Sequence, residues 1–378
     1  MKAAFAFLVI LGCDGASTEG GSLESADLVA VGEVQGGDEG VATEAGDDSG
    51  EPTSDVATLG DAMEGDGDAV SEPETAAEPD TTTEAEDVPV TLDVAVPVDV
   101  PVAVDVGTPA ACPIPTTAGH HDFDCDEIHY DLEIPKTCPE GGCGLIVDIH
   151  GLSMSGDQEE KNTEMRVRGP AAGYIVLQPT APGIVGLVPS WDQDKHAPRV
   201  FDVLSATAEA LGADLKRIHS MGFSQGGGMT WRLICEHAGF FASGAPLGAL
   251  EGCAFMAGVQ SPGEEIDMLV VHGRNDAVVN FSVAESQRDK ALKGWPFGAG
   301  TVVSNAEGLE VTKYETPTGT VMETWWHDYE STNGLLKGHC VPGSQEFSGS
   351  LLNYACEQAG TFVYAVAALE FFQAHPRP

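Results

Sequence analysis

Arg217-Ile-His-Ser-Met-Gly-Phe-Ser-Gln-Gly-Gly-Gly-Met-Thr-Trp231 is the stretch on which the reading of this chain turns. Ile218 to Met221 has the apolar character of a short buried strand, and Met229 to His237 that of a helix. Between them, Gly222-Phe223-Ser224-Gln225-Gly226 is a Gly-x-Ser-x-Gly turn. On a sharp strand-to-helix elbow such a serine projects its hydroxyl to where a substrate carbonyl can reach it. Gly222 and Gly226 are expected to let the strand and helix backbones approach where side chains would block them.

A serine hydroxyl is a weak nucleophile until an imidazole takes its proton, and that imidazole must be held by a carboxylate. Asp276 follows the apolar run Met268 to His272 within His272-Gly-Arg-Asn-Asp276, so it sits just past a strand end. Asp267 and Asp289 are weaker rivals, one at a strand start and one on a helix. His339 lies in the loop Gly338-His-Cys-Val-Pro-Gly343, before the last helical segment. His327, after Trp325-Trp326 in a strand-like run, competes with it. The order Ser224, Asp276, His339 is that of α/β-hydrolases. The backbone N–H of Gln225, and that of Leu152 in the loop His150-Gly-Leu-Ser153, are the candidate oxyanion donors. His150 itself is expected to shape that loop rather than act as a base.

The remaining pattern supports the same scaffold. Ile128–Ile134, Gly144–Ile149, Ala172–Gln178 and Val321–Trp326 have strand character, the second as a continuous apolar run suited to a parallel sheet covered on both faces. Phe201–Leu211 has helical spacing with Gly212 as its stop, and Phe362–Phe372 is a closing helix whose Phe362, Val366, Leu369 and Phe372 would face the sheet. Strands alternating with helices predict an α/β fold with a mainly parallel sheet flanked by helices.

That domain is expected over residues 112–378, after two segments of other kinds. Met1 to Gly12 has the form of an export signal, too short to span a bilayer as a helix, and Ile10-Leu-Gly-Cys13 resembles a lipobox in which Cys13 is lipidated. Residues 14–111 are expected to be a disordered acidic linker, rich in Pro and Val towards its end. Of the 60 acidic residues, 26 fall between Asp14 and Asp105, and no Lys or Arg occurs between Lys2 and Lys136. Such a segment cannot bury enough apolar surface to offset its ordering entropy. About 98 flexible residues span roughly 55 Å, a spacer that would lift a domain from a surface. With a formal net charge of −43, the chain is excluded from nucleic-acid binding, which needs Lys and Arg on phosphates. Membrane contact is expected only through the N-terminal lipid.

Setting Cys13 aside leaves eight cysteines, an even number suited to four disulfides in an exported protein. They allow 105 pairings, among which Cys138–Cys143 and Cys340–Cys356 are the local choices. His120-His121 beside Asp122 and Asp124 is a poor metal site because adjacent histidines rarely bind one ion, so no metal is expected.

His150-Gly151, Arg199-Val-Phe201, Arg217-Ile-His219, Gly222 to Gly227, His272 to Asp276, and Gly338-His339 with Pro342-Gly343 together resemble the poly(3-hydroxybutyrate) depolymerase and feruloyl/acetyl-xylan esterase group. The resemblance covers about Cys112 to Pro378. It implies an exported serine esterase acting on hydroxyalkanoate, feruloyl or acetyl esters, polymeric ones included, through an acyl-enzyme and without a cofactor. Two positions depart from the group. Leu152-Ser153 stands where Cys-Gln is frequent, and Val341 stands where a tryptophan usually precedes Pro-Gly; both would border the acyl or leaving-group pocket. Trp191, in Ser190-Trp-Asp192, and Trp325-Trp326 are candidates to contact substrate, with a core role as the alternative. A binding protein that keeps the fold without turnover, and a serine peptidase of this fold, are the competing functional readings.

Overall fold

The computed structural model describes residues 112–184, 188–250, 264–344, 353–357 and 362–378. The N-terminal readings, namely the export signal, Cys13 and the acidic linker, lie outside the described residues.

The apolar run Gly144–Ile149 forms a strand buried at every position, at the centre of the sheet. The main sheet consists of β1 (Gly119–Cys125), β2 (Ile128–Ile134), β3 (Gly144–Ile149), β4 (Tyr174–Thr180), β5 (Ile218–Phe223), β6 (Ser243–Leu247), β7 (Asp267–Gly273), β8 (Thr301–Ala306), β9 (Leu309–Glu315) and β10 (Val321–His327). Their spatial order is β1-β2-β4-β3-β5-β6-β7-β10-β9-β8. The contiguous strands from β4 through β10 pair in parallel, and antiparallel strands close both edges. A reversal at β3–β4, with crossovers outward from β5, makes this an α/β-hydrolase sheet.

Alternation along β3 separates two cores. Leu145, Val147 and Ile149 join one cluster with Val200, Phe201 and Leu204 of helix α3 and Leu233 and Ile234 of α4. Ile146 joins the other, with Met165 of α2 and Phe371 and Phe372 of α6. The helices are α1 (Gly156–Thr163), α2 (Met165–Ala171), α3 (Gln193–Leu211), α4 (Gln225–Glu236), α5 (Phe281–Gly294) and α6 (Tyr364–Ala374).

Three helices depart from the sequence reading. Helix α3 begins well before Phe201: the Asp192 carboxylate caps it by accepting from the Lys195 N–H at 3.2 Å, and Pro198 lies inside it. Gly212 ends it at φ +57°, as expected. Helix α4 begins at Gln225 rather than Met229; the three glycines of its first turn have poor helix propensity, so local pattern points to a later start than the packing against β3 imposes. In α6 the buried face is Tyr364, Ala365, Ala367, Ala368, Phe371 and Phe372; the expected Phe372 lies on it, Leu369 and Phe362 (just before the helix) pack against the same core, and Val366 is half-buried. Small alanines allow a closer approach to the sheet than the branched residues would. Strand β6 was not legible, since Gly244 and Pro246 resemble a turn.

Disulfides join Cys112 to Cys125, Cys138 to Cys143 and Cys340 to Cys356, which includes both local pairs. Cys235 is also disulfide-bonded.

Asp148 of β3 points into the α1 side of the sheet, where its Oδ2 accepts from Thr163 Oγ1 and Gln178 Nε2, each at 2.8 Å. Burial raises its pKa to about 7 and that of Glu159 beside it well above the usual carboxylate value. The protonated form is therefore favoured by folding; this stability is complete below the unfolded pKa near 4 and is lost as pH rises through about 7. Asp148→Asn should flatten this loss. Thermal unfolding from pH 4 to pH 8 should show the variant gaining on the parent by about 2–4 kcal/mol at the alkaline end, with little difference at pH 4.

Candidate active site

Ser224 stands between β5 and α4 at φ +56°, ψ −114°. A non-glycine residue held in this region carries about 1–3 kcal/mol of strain, so its surroundings must enforce it. The Ser224 N–H donates to Leu247 O at 2.9 Å, and its carbonyl accepts from Gly228 N–H at 3.0 Å. The glycines are sterically required. A Cβ on Gly226 would stand 1.8 Å from Ile149 O, and one on Gly222 would stand 2.6 Å from the same oxygen.

The structure brings Ser224, His339 and Asp276 together. The Ser224 hydroxyl lies 3.0 Å from His339 Nε2, and His339 Nδ1 lies 2.7 Å from Asp276 Oδ2. A carboxylate can only accept, so Nδ1 carries the proton and Nε2 turns its lone pair to the hydroxyl. Asp276 Oδ1 accepts from the N–H groups of Val278 and Val279 at 2.8 and 2.7 Å. The carboxylate is thus fixed on both oxygens. The three residues are all buried, at 6 %, 2 % and 7 % exposure for Ser224, His339 and Asp276. Phe223 packs on the imidazole with ring centroids 4.7 Å apart.

Two glycines bring the aspartate and histidine loops together. A Cβ on Gly273 would meet Gly338 O at 2.2 Å, and one on Gly338 would meet Asp276 N at 2.7 Å. Gly338 N–H donates to Asn275 O at 3.2 Å, and the backbones of Asp276 and Lys337 pair in an isolated antiparallel β-bridge. Backbone contact across 63 residues of chain thereby sets the distance between carboxylate and imidazole.

The two candidate oxyanion donors belong to the residues next to Ser224 in the chain and in the turn after β3. Gln225 opens α4, where the first N–H groups have no partner within the helix. The Leu152 turn passes beside Ser224, since a Cβ on Gly151 would lie 3.2 Å from Ser224 Cβ. The turn is pinned by Ser153 N–H, which donates to Pro189 O at 2.9 Å. Gln225 Oε1 accepts from the Trp191 N–H at 3.1 Å, which joins the helix start to the 190–191 segment. Nothing in the residue pattern signalled that bracket. An imidazole 3.0 Å from the hydroxyl can take its proton when it attacks a carbonyl.

The other candidates take separate places. His150 is fully buried; it accepts from Ala181 N–H at Nε2 (3.0 Å) and donates from Nδ1 to Gly151 O (2.6 Å), so it shapes the loop. Burial lowers its pKa to about 4, which keeps it neutral. His327 lies in β10, stacked on Tyr329, with its pKa lowered to about 3 by burial. His272 donates to Val279 O at 2.9 Å and supports the Asp276 loop, a part not recognised in the sequence although it opens the His-Gly-Arg-Asn-Asp motif. Asp267 accepts from Val321 N–H at 2.6 Å, and Asp289 pairs with Arg288 on α5. Trp191 donates from Nε1 to His150 O at 2.9 Å and is 5 % exposed, about as deep as Ser224. Val341 is at 1 % exposure within the α6-side core, and Trp326 is buried against Phe281. His120 sits between Asp131 and Glu133, at 3.3 and 3.5 Å. Among the described residues no group of three His, Cys, Asp or Glu side chains is arranged to hold a metal.

No protein-family model matches the chain. It is 25 % identical over 143 residues to a bifunctional acetylxylan esterase/xylanase of Neocallimastix patriciarum, covering 37 % of this chain and 20 % of that protein. It is 25 % identical over 210 residues to feruloyl esterase B of Thermothelomyces thermophilus, covering 45 % and 67 % of the two chains. Among solved structures, an acetyl xylan esterase from Aspergillus awamori aligns with a TM-score of 0.45 at 13 % identity, over 55 % of this chain and 93 % of that one. The chain thus spans only about a fifth of the first of these relatives and two thirds of the second. It resembles feruloyl and acetyl-xylan esterases in sequence.

Gly338→Ala should drive the two loops apart. Overpacking of this kind costs about 1–3 kcal/mol, which corresponds to a fall in Tm of roughly 3–10 °C for a domain of this size. Calorimetry of the variant against the parent checks this.

Proposed function

We propose that the chain is a serine hydrolase of carboxylic esters that works through an acyl-enzyme. Ser224 attacks the ester carbonyl, His339 takes its proton and returns it to the leaving alcohol, and Asp276 orients and supports the imidazolium. The N–H groups of Gln225 and Leu152 hold the oxyanion, each contributing about 3 kcal/mol of transition-state stabilisation. Water activated by the same imidazole then releases the acid. The single observation that carries this reading is the relay of hydrogen bonds from the Ser224 hydroxyl through His339 to Asp276, at 3.0 and 2.7 Å.

Feruloyl and acetyl esters are the substrates suggested by the relatives' names, and hydroxyalkanoate esters by the resemblance of the motifs. The disulfides support work in an oxidising compartment outside the cytosol. Lipidation at Cys13 and a flexible acidic spacer would hold the enzyme near a membrane while it reaches outward.

Ser224→Ala should lower kcat on p-nitrophenyl butyrate by about 10⁴-fold or more and abolish labelling by a fluorophosphonate. Activity near that of the parent would remove the assignment. The parent, tested on methyl ferulate, acetylated xylan and hydroxybutyrate oligomers, would then rank the acyl groups by kcat/KM.

A further inference from the structure

Trp191 reads in the sequence as a candidate substrate contact, yet its hydrogen bonds run to the two elements that carry the oxyanion donors. The chain reaches it along a two-residue antiparallel ladder, with Gly183 opposite Pro189 and Ile184 opposite Val188. Residues 189–191 then form a strap. On one side the Gln225 side chain grips it: Oε1 accepts from the Trp191 N–H at 3.1 Å and from the Ser190 hydroxyl at 3.3 Å. On the other side Pro189 O accepts from the Ser153 N–H at 2.9 Å, and Trp191 Nε1 donates to His150 O at 2.9 Å. Ser190 and Trp191 are 6 % and 5 % exposed, so these bonds are largely shielded from water, which strengthens them.

The strap also acts through His150. The imidazole lies against the Trp191 ring, with centroids 5.0 Å apart and planes at 37°. Ala181 N–H donates to its Nε2 at 3.0 Å, which leaves the proton on Nδ1, and that N–H donates to Gly151 O at 2.6 Å. Met154 N–H donates to the same oxygen at 3.3 Å. Gly151 C=O and Leu152 N–H belong to one planar trans peptide and point in opposite directions. Holding that oxygen therefore sets the direction of the Leu152 N–H. The peptide lies close to the nucleophile, since a Cβ on Gly151 would stand 3.2 Å from Ser224 Cβ.

We propose that Trp191 is a positioning residue that fixes the Leu152 N–H relative to the Gln225 N–H, so that both serve one oxyanion. Its main-chain N–H ties it to the Gln225 side chain, and its indole ties it to His150, which aims the Gly151–Leu152 peptide. The inference rests on the esterase reading above. Because the donors act on charge that develops only in the transition state, misplacing them lowers kcat and spares ground-state binding. A tryptophan that contacted the acyl group would instead change KM and the preference between acyl groups.

The test uses the full chain, p-nitrophenyl acetate and butyrate, and an aryl trifluoromethyl ketone as inhibitor. Ser224 Oγ adds to the ketone carbon, its proton passes to His339, and the carbonyl oxygen becomes the oxyanion, so Ki reads the donors without turnover. Trp191→Phe keeps a ring and deletes the indole N–H, while Gln225→Met keeps the side-chain length and deletes the amide. Each should lower kcat about 10-fold on both esters and raise Ki by a similar factor, with KM within about twofold. The double variant should lose well under about 100-fold, because both changes release the same strap. Thermal unfolding of each variant is measured alongside, and Gln225→Met reports on the strap should Trp191→Phe fold poorly. A kcat and Ki close to those of the parent, a loss carried by KM, or a changed preference between acetate and butyrate would each overturn the role. Ser224→Ala in parallel separates the two claims. If it is inactive while Trp191→Phe is unchanged, only the Trp191 role falls; if it stays active, the esterase reading falls and the Trp191 role with it.

Discussion

The carbonyl oxygen of Ile149 leaves no room for a side chain at position 226, where a Cβ would come within 1.8 Å. This one contact between the end of β3 and the start of α4 sets the elbow. It forces a helix to begin against the edge of the central strand, which leaves the intervening Ser224 at positive φ with its hydroxyl outside the sheet. The same contact keeps the Gly151–Ser153 turn, which continues from β3, beside that hydroxyl. Strain at one residue is thus maintained by close packing between two regular elements, as strained functional backbones require.

Around this point burial sorts the histidines. His150, His272 and His327 are enclosed in the fold, and desolvation holds each below the usual imidazole pKa, so they serve as neutral hydrogen-bonding or stacking groups. His339 is as deeply buried but differs in its partners, with a carboxylate at one nitrogen and a hydroxyl at the other. That carboxylate is itself held by two backbone N–H groups. An imidazole so placed can accept a proton without first being reoriented, and fixed geometry of this kind is where catalytic sites gain over solution.

Much of this was legible in the chain. Gly144–Ile149 and Met268–His272 are predominantly apolar, which marks strands covered on both faces, and Gly212 and the elbow glycines are punctuation with a steric cause. Cys138–Cys143 and Cys340–Cys356 are close enough in sequence for pairing to be the economical choice. Elements whose local pattern contradicts their environment were not legible. Ser243–Leu247 contains glycine and proline yet lies in the middle of the sheet, and Thr301–Ala306 is an exposed edge strand with no buried face. On α6 the expected Phe372 is buried and Phe362 and Leu369 pack against the same core, while Tyr364, Phe371 and three alanines complete a contact that the spacing of large residues alone does not reveal.

Residue type and order alone determined the α/β scaffold, the elbow serine and the candidates that follow it, because hydrophobic period, glycine placement and chain order are local properties. Distances were decided only by the tertiary structure. That Gly273 and Gly338 touch, that Gln225 brackets residues 190–191, and that Tyr354 packs against Phe223 all depend on segments tens to hundreds of residues apart. Such contacts have no period and no motif. They arise from how two cores pack on the opposite faces of one twisted sheet, and a sequence carries that information only through the folded whole.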